Sequence, residues 1–188
     1  EKPAYEKESI KLTLMPYIVK TVSAALMNHH YLNASIEGEE IVLKKYYNIG
    51  VAVDSEEGLI VPVVKGAQAK DIKTIAKDIE KLANDVRNRK VNMMDLRGGT
   101  FTISNLGAIG VGFFTPIINF PESAILGVGR MVEKPVARNG KAEIRKILPL
   151  SLTYDHRIVD GAQAARFMLD VIKKLEALDF STPAPKEH

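Results

Sequence analysis

Residues 153–163 read TYDHRIVDGAQ and hold one of the chain's four histidines, His156. Asp155 precedes it, Arg157 follows, and Asp160 and Gly161 close the cluster. A neutral imidazole with a pKa of about 6.5 is the side chain best matched to taking and returning a proton near neutrality. A strand-like run (residues 147–154) leads in and a helix-like run leads out, so the cluster sits where loops project side chains into clefts. The competing reading is a polar turn in which Asp160 caps the last helix. Capping accounts for Asp160 and Gly161 but not for the crowding of Asp155, His156 and Arg157. The residues alone leave function and capping equally open.

Ser104 is the second candidate, at the end of the strand-like run TFTIS and the start of a glycine-rich loop. No G-x-S-x-G surrounds it, so a hydrolase elbow is not indicated. A lone serine here more often bonds its own turn. His29 and His30 are adjacent and point in different directions on a helix, so they cannot chelate one metal and read as surface or helix-capping groups. His188 lies in the tail. The runs GAIGVG and GVGRMV do not match a dinucleotide fingerprint, and neither a Walker A nor an H-E-x-x-H sequence occurs. Glu39-Glu40 and Glu56-Glu57 fall in polar turns and read as solvated. There is no cysteine, which removes disulfides, thiolate metal sites and a cysteine nucleophile, and fits a reducing compartment.

The elements that must position these groups follow from periodicity. The chain has 188 residues, 46% hydrophobic and 26% charged, with net charge +3. That balance suits one globular domain, is too mildly basic to argue for nucleic acid, and includes no apolar run of membrane-spanning length. Pro16 opens a helix with Ile18, Val22, Ala25 and Leu26 on one face. Residues 40–46 form a strand. Residues 48–53 and 59–64 form two apolar strands, buried on both faces, around a turn at residues 55–58. Asp71 caps a helix whose stripe is Ile72, Ile75, Ile79, Leu82 and Val86. After the strand at residues 100–104, residues 123–138 and 143–155 read as two more strands joined at Asn139-Gly140. The last helix spans about residues 162–178. The expected class is α/β or α+β with a largely β core.

The segment HRIVDG, residues 156–161, resembles the H-R-x-x-D-G signature of the dihydrolipoamide acyltransferases, the E2 core enzymes of 2-oxo acid dehydrogenase complexes. MPYIVKTVSAAL, YYNIGVAVDSEEGLIVPVVKGA, GGTFTISNLG, FFTPIINFPESAILGVGR and LSLTYDHRIVDGAQAARFM resemble that family's catalytic domain in the same order, from Leu12 to Leu178. The resemblance implies a chloramphenicol acetyltransferase-like fold, with a central mixed β-sheet flanked by helices. It divides the chain into a poorly matched segment 1–11, a catalytic domain 12–180 and a flexible tail 181–188. The family's stretch before Leu12, its lipoyl domain and its subunit-binding domain are not matched, which gives the expectation of an N-terminally trimmed core.

The resemblance also implies chemistry. The family moves an acyl group from dihydrolipoamide to coenzyme A, so both sulfurs come from substrates and no metal is needed. His156 would be the base, Ser104 the oxyanion donor and Asp160 the organiser of the loop, by an ion pair with an arginine or by capping. Asp155 and Arg157 would fix the loop. His156 and Ser104 would come from neighbouring chains of a trimer, and trimers would build a larger cage. Partners would be the 2-oxo acid decarboxylase and dihydrolipoamide dehydrogenase, through upstream domains, with no nucleic acid and no membrane. Leu59-Ile60-Val61-Pro62 and Phe113-Phe114-Thr115-Pro116 are candidate walls of a substrate tunnel, with plain interface packing as the other reading. The FFTPIINFPES block suggests acetyl as the acyl group, with succinyl and branched chains as the other options. The implied compartment is the bacterial cytoplasm, or the mitochondrial matrix in a eukaryote. The rival readings are a structural core without catalysis and an acetyltransferase acting on a small hydroxyl or amine.

Overall fold

Pro16 sits in the first turn of α1 (Met15–Leu26), where its missing N–H leaves no bond unmade. The expected face of Ile18, Val22, Ala25 and Leu26 is fully buried, and Lys20, Thr21 and Ser23 on the other side are buried too. A helix buried all round must lie between layers. It packs on the central sheet between α2 (Ile72–Arg87) and α3 (Gly161–Ala177). Asp71 caps α2, accepting from the Thr74 amide at 2.7 Å, and Ile75, Leu82 and Val86 of its stripe are buried. The structure, a computed structural model, describes residues 13–177. Leu12, Leu178, the segment 1–11 and the tail with His188 lie outside the described residues.

Eleven strands are described: β1 (Ala34–Glu37), β2 (Glu40–Leu43), β3 (Ile49–Val51), β4 (Val53–Ser55), β5 (Gly58–Ile60), β6 (Val63–Val64), β7 (Phe101–Asn105), β8 (Ala124–Val128), β9 (Val132–Arg138), β10 (Lys141–Ile147) and β11 (Leu150–Tyr154). Five make the central sheet, in the order β11-β8-β7-β3-β6. β3, β7 and β8 run parallel, and β6 and β11 pair antiparallel at the two edges. The remaining strands form three two-stranded hairpins. A mixed sheet with helices on it agrees with the expected fold class.

Two expectations about strands need correction. The pair expected at residues 48–53 and 59–64 is divided into β3–β4 and β5–β6. Its register is continuous from Ile49↔Val64 to Ser55↔Gly58. Pro62 accepts from the Val51 amide at 2.9 Å but has no N–H to return, so the β3–β6 ladder breaks there, and the hairpin leaves the sheet once the Ala52 amide has made the last β3–β7 bond, to the Ile103 carbonyl at 3.0 Å. Its tip is therefore not buried on both faces, and Leu59 is 65% exposed. The two long strands expected after residue 123 are likewise four. Register shifts by one residue between the β8–β11 and β9–β10 pairings, and β9 and β10 project as a hairpin with no buried residue.

Candidate active site

Alternation along β7 fixes where Ser104 points. Phe101 and Ile103 are fully buried, and the Phe101 ring meets Phe167 of α3 at 5.7 Å between centroids. These residues face the helices, so Thr102 and Ser104 face the opposite side of the sheet. Cutting Phe167 back to alanine would remove the helix side of this contact, at a cost of about 3–5 kcal/mol. Ser104 is 8% exposed. Among the described residues no hydrogen bond engages its hydroxyl. The turn-bonding role belongs instead to Asn105, whose side-chain oxygen accepts from the Gly107 amide at 3.1 Å.

The helix-free face is covered by residues 112–119, which run back across it as a strap. A Cβ on Gly129 would collide with the Gly112 carbonyl. A Cβ on Gly127 would lie 3.1 Å from the Phe114 ring and 3.2 Å from Pro116. The glycines of the GVG run therefore serve close backbone approach rather than phosphate binding. Of the proposed tunnel walls, the strap places Phe114 and Pro116 against Gly127, the register partner of Ser104. The surface it presents with the residue that follows is strongly apolar: Phe113 is 70% exposed, Ile117 88% and Phe120 85%.

His156 lies at the far end of β11. The Asp155 amide still bonds the Ser123 carbonyl at 2.8 Å, and the Ile158 and Val159 amides both return to the Asp155 carbonyl at 3.0 Å. Ile158 and Val159 are buried and anchor this turn, leaving His156 and Arg157 exposed. The imidazole lies against the Tyr154 ring, centroids 5.7 Å apart and planes at 38°. Arg157 grips the Asp155 carboxylate, with Nη2 2.6 Å from Oδ2 and Nε 3.0 Å from Oδ1. That hydrogen bonding holds the Asp155 carboxyl below its ordinary pKa. Asp160 caps α3 reciprocally: its carboxylate accepts from the Gln163 amide at 2.7 Å, and its own amide donates to the Gln163 side chain at 3.0 Å. Of the two roles open to Asp160, the structure shows the cap.

The sheet does not bring Ser104 to His156 within one chain. Ser104 is in register with Gly127, and Gly127 with Ser151, near the start of β11. His156 follows the other end of that strand. Two strand spacings and the five positions from Ser151 to His156 separate them by on the order of 15–20 Å.

The positions of two titratable groups escaped the sequence reading. His29, expected as a surface or helix-capping group, makes no side-chain cap at the 3-10 turn it precedes and is half-buried against α3. It lies 3.4 Å from the Asp170 carboxylate, with its ring edge-on to Phe167. Burial lowers its pKa against the opposing pull of Asp170. Glu122 is buried beside β7, accepting from Thr102 Oγ1 at 2.6 Å and from Asn119 Nδ2 at 3.3 Å. Burial raises its carboxyl from 4.5 to about 7, against the lowering effect of both hydrogen bonds. No signal in a lone glutamate after a proline points to this.

The chain matches the family described as 2-oxoacid dehydrogenases acyltransferase (catalytic domain) over residues 1–181. It is 46% identical over 162 residues to the dihydrolipoyllysine-residue acetyltransferase component of the pyruvate dehydrogenase complex of Cupriavidus necator, covering 86% of this chain and 29% of that protein. The component of the same name in Bacillus subtilis is 45% identical over 170 residues, covering 89% and 38%. The chain therefore spans about a third of the length of these relatives. The dihydrolipoamide acetyltransferase structure of Azotobacter vinelandii superposes with a TM-score of 0.91 at 40% identity, covering 94% of this chain and 74% of that one. It is described by the catalytic role of a serine, a histidine 52 positions later and an asparagine four beyond that. A structure described as the cubic core of the pyruvate dehydrogenase multienzyme complex matches equally, with a TM-score of 0.91, 40% identity and the same coverage. Chloramphenicol acetyltransferase, at 15% identity and a TM-score of 0.56 over 90% of this chain and 81% of that one, shares the fold.

Proposed function

Because the chain belongs to the acyltransferase family of 2-oxoacid dehydrogenases, as its catalytic domain, we propose that it transfers an acetyl group from S-acetyl-dihydrolipoamide to coenzyme A. The observation that carries this reading is the trio Ser104, His156 and Asp160. It has the same separations as the serine, histidine and asparagine of the Azotobacter vinelandii enzyme. His156 is exposed for a substrate and Ser104 is free to donate, as the reaction requires of each.

The steps follow from the groups. A thiol of pKa about 8.5 is only a few per cent ionised near neutrality. His156 takes the coenzyme A proton as the sulfur attacks the thioester carbon. The carbonyl oxygen gains the displaced electron pair, and the Ser104 hydroxyl donates to it. The oxyanion then collapses, the bond to the dihydrolipoamide sulfur breaks, and the imidazolium returns its proton to that sulfur. Atoms and charge balance with no group supplied beyond the two substrates and this protein.

The separation of Ser104 from His156 requires a second copy of the chain. A neighbour that covers Phe113, Ile117 and Phe120 would bury apolar surface worth roughly 1.5–3 kcal/mol per side chain and bring its own serine or histidine to the site. Trimers that assemble further into a core satisfy both needs, and the resemblance to a cubic core supports this arrangement. The decarboxylase and dehydrogenase of such a complex are proposed as partners of the longer protein. A steady-state assay of acyl transfer to coenzyme A from acetyl, succinyl and isobutyryl dihydrolipoamide tests the reading. Acetyl is expected to give the highest kcat/KM, and no transfer from any donor would overturn it.

A further inference from the structure

We infer that Ser151 is a positioning residue for acyl transfer: its hydroxyl pins the strap of residues 112–119 to the sheet beside Ser104. This rests on the acyl-transfer reading above.

Three residues in register carry the inference. Ser104, Gly127 and Ser151 lie side by side on β7, β8 and β11, on the helix-free face. Gly127 in the middle has no side chain, and the strap lies directly over it, with Phe114 and Pro116 3.1 and 3.2 Å from a Cβ position there, closer than ordinary van der Waals contact. Ser151 Oγ donates to the Phe114 carbonyl at 2.6 Å across that gap.

The strap has little else to hold it. It has no helix or strand of its own. It is tied at its start by the Arg130 amide to the Val111 carbonyl at 2.7 Å. At its end Asn119 Nδ2 donates to Thr102 Oγ1 and to Glu122 at 3.3 Å. Among the described residues, the Ser151 bond is the one hydrogen bond made to residues 112–118. Without it the Phe114 carbonyl loses its partner and the middle of the strap is free to shift relative to Ser104. Displacements on the ångström scale near reacting groups cost up to about 10²-fold in rate.

The test is a kinetic double-mutant cycle in the assembled protein, with size and thermal midpoint measured alongside. Ser151→Ala is expected to lower kcat about tenfold with little change in KM. In the Ser104→Ala background it should add almost nothing, because the group being positioned is already gone. A merely structural loss would instead multiply with the Ser104→Ala effect. Ser151→Thr and Ser151→Val share one shape and differ by the hydroxyl. The threonine variant should keep wild-type kcat and the valine variant should match alanine, and this pair decides the matter if the alanine variant misfolds. Wild-type kcat in Ser151→Ala or Ser151→Val, or full multiplication in the double variant, overturns the inference alone. An assembled wild type that transfers no acyl group overturns the acyl-transfer reading, and this inference with it.

Discussion

Ser104 and His156 stand at opposite ends of one sheet. The register Ser104↔Gly127↔Ser151 places the serine level with the start of β11, and the histidine follows that strand's last residue, Tyr154. β-Sheet geometry is stiff, so no side-chain rotation closes a gap of on the order of 15–20 Å. If both residues serve one reaction, they serve it from different copies of the chain.

His156→Ala should lower kcat by about 10²–10⁴, the usual worth of a positioned general base. The ring is exposed and lies beside the Tyr154 ring, so the thermal midpoint and assembly size should stay at wild-type values. Near-normal turnover in a folded, assembled variant would remove His156 from the mechanism.

Ser104→Ala should reduce kcat by on the order of 10²-fold while KM stays close to wild type, as expected for a donor engaged only when the oxyanion forms. Steady-state kinetics with varied acetyl-dihydrolipoamide separates the two constants. A raised KM with unchanged kcat would make Ser104 a binding residue instead.

Asp160→Ala should cost about 1 kcal/mol of stability through loss of the α3 cap, read from urea midpoints. Asp160→Asn should recover most of it, since asparagine caps as well as aspartate, and asparagine stands at the equal spacing in the Azotobacter vinelandii enzyme. An asparagine variant as unstable as the alanine one would show that the negative charge, not the cap, matters.

Glu122 predicts a pH dependence. Its folded pKa is about 7 against an ordinary 4.5. Below pH 4.5 both states hold the proton, and the folded state carries no penalty. As pH rises from 4.5 towards 7 the unfolded chain releases the proton and the folded one keeps it. Stability is therefore lost across that window, by on the order of 3 kcal/mol, and is level above it. Urea midpoints across this range should show the slope in wild type and lose this component in Glu122→Gln. An unchanged slope in the glutamine variant contradicts the assignment.

Much of this was legible in the sequence, for local reasons. Asp71 and the Ile75, Leu82 and Val86 stripe announce α2 because capping and helical period depend on neighbours in sequence. The TYDHRIVDGAQ cluster announces a junction for the same reason. What escaped depends on partners far away in the chain. The hairpin leaves the sheet beyond Ala52, whose amide makes the last ladder bond to β7, at the Ile103 carbonyl 51 positions on. Leu59 looks like a core residue by type, but it sits on a tip that the bend carries into solvent. His29 is half-buried because α3 arrives with Asp170 and Phe167. Glu122 is perturbed because Thr102 and the strap close over it. Period and composition carry no record of such meetings. The candidate site was visible as two separate motifs, and only the sheet register shows that one chain keeps them apart.

The most direct test mixes two dead variants. His156→Ala and Ser104→Ala chains, co-expressed in equal amounts, should form hybrid assemblies. In these, about a quarter of the sites take an intact histidine from one copy and an intact serine from the next. Acyl transfer should then recover to about a quarter of wild type, although each variant alone stays at its own low rate. If the hybrids assemble and activity remains at the level of the single variants, the two residues do not meet across a subunit boundary, and the mechanism is wrong.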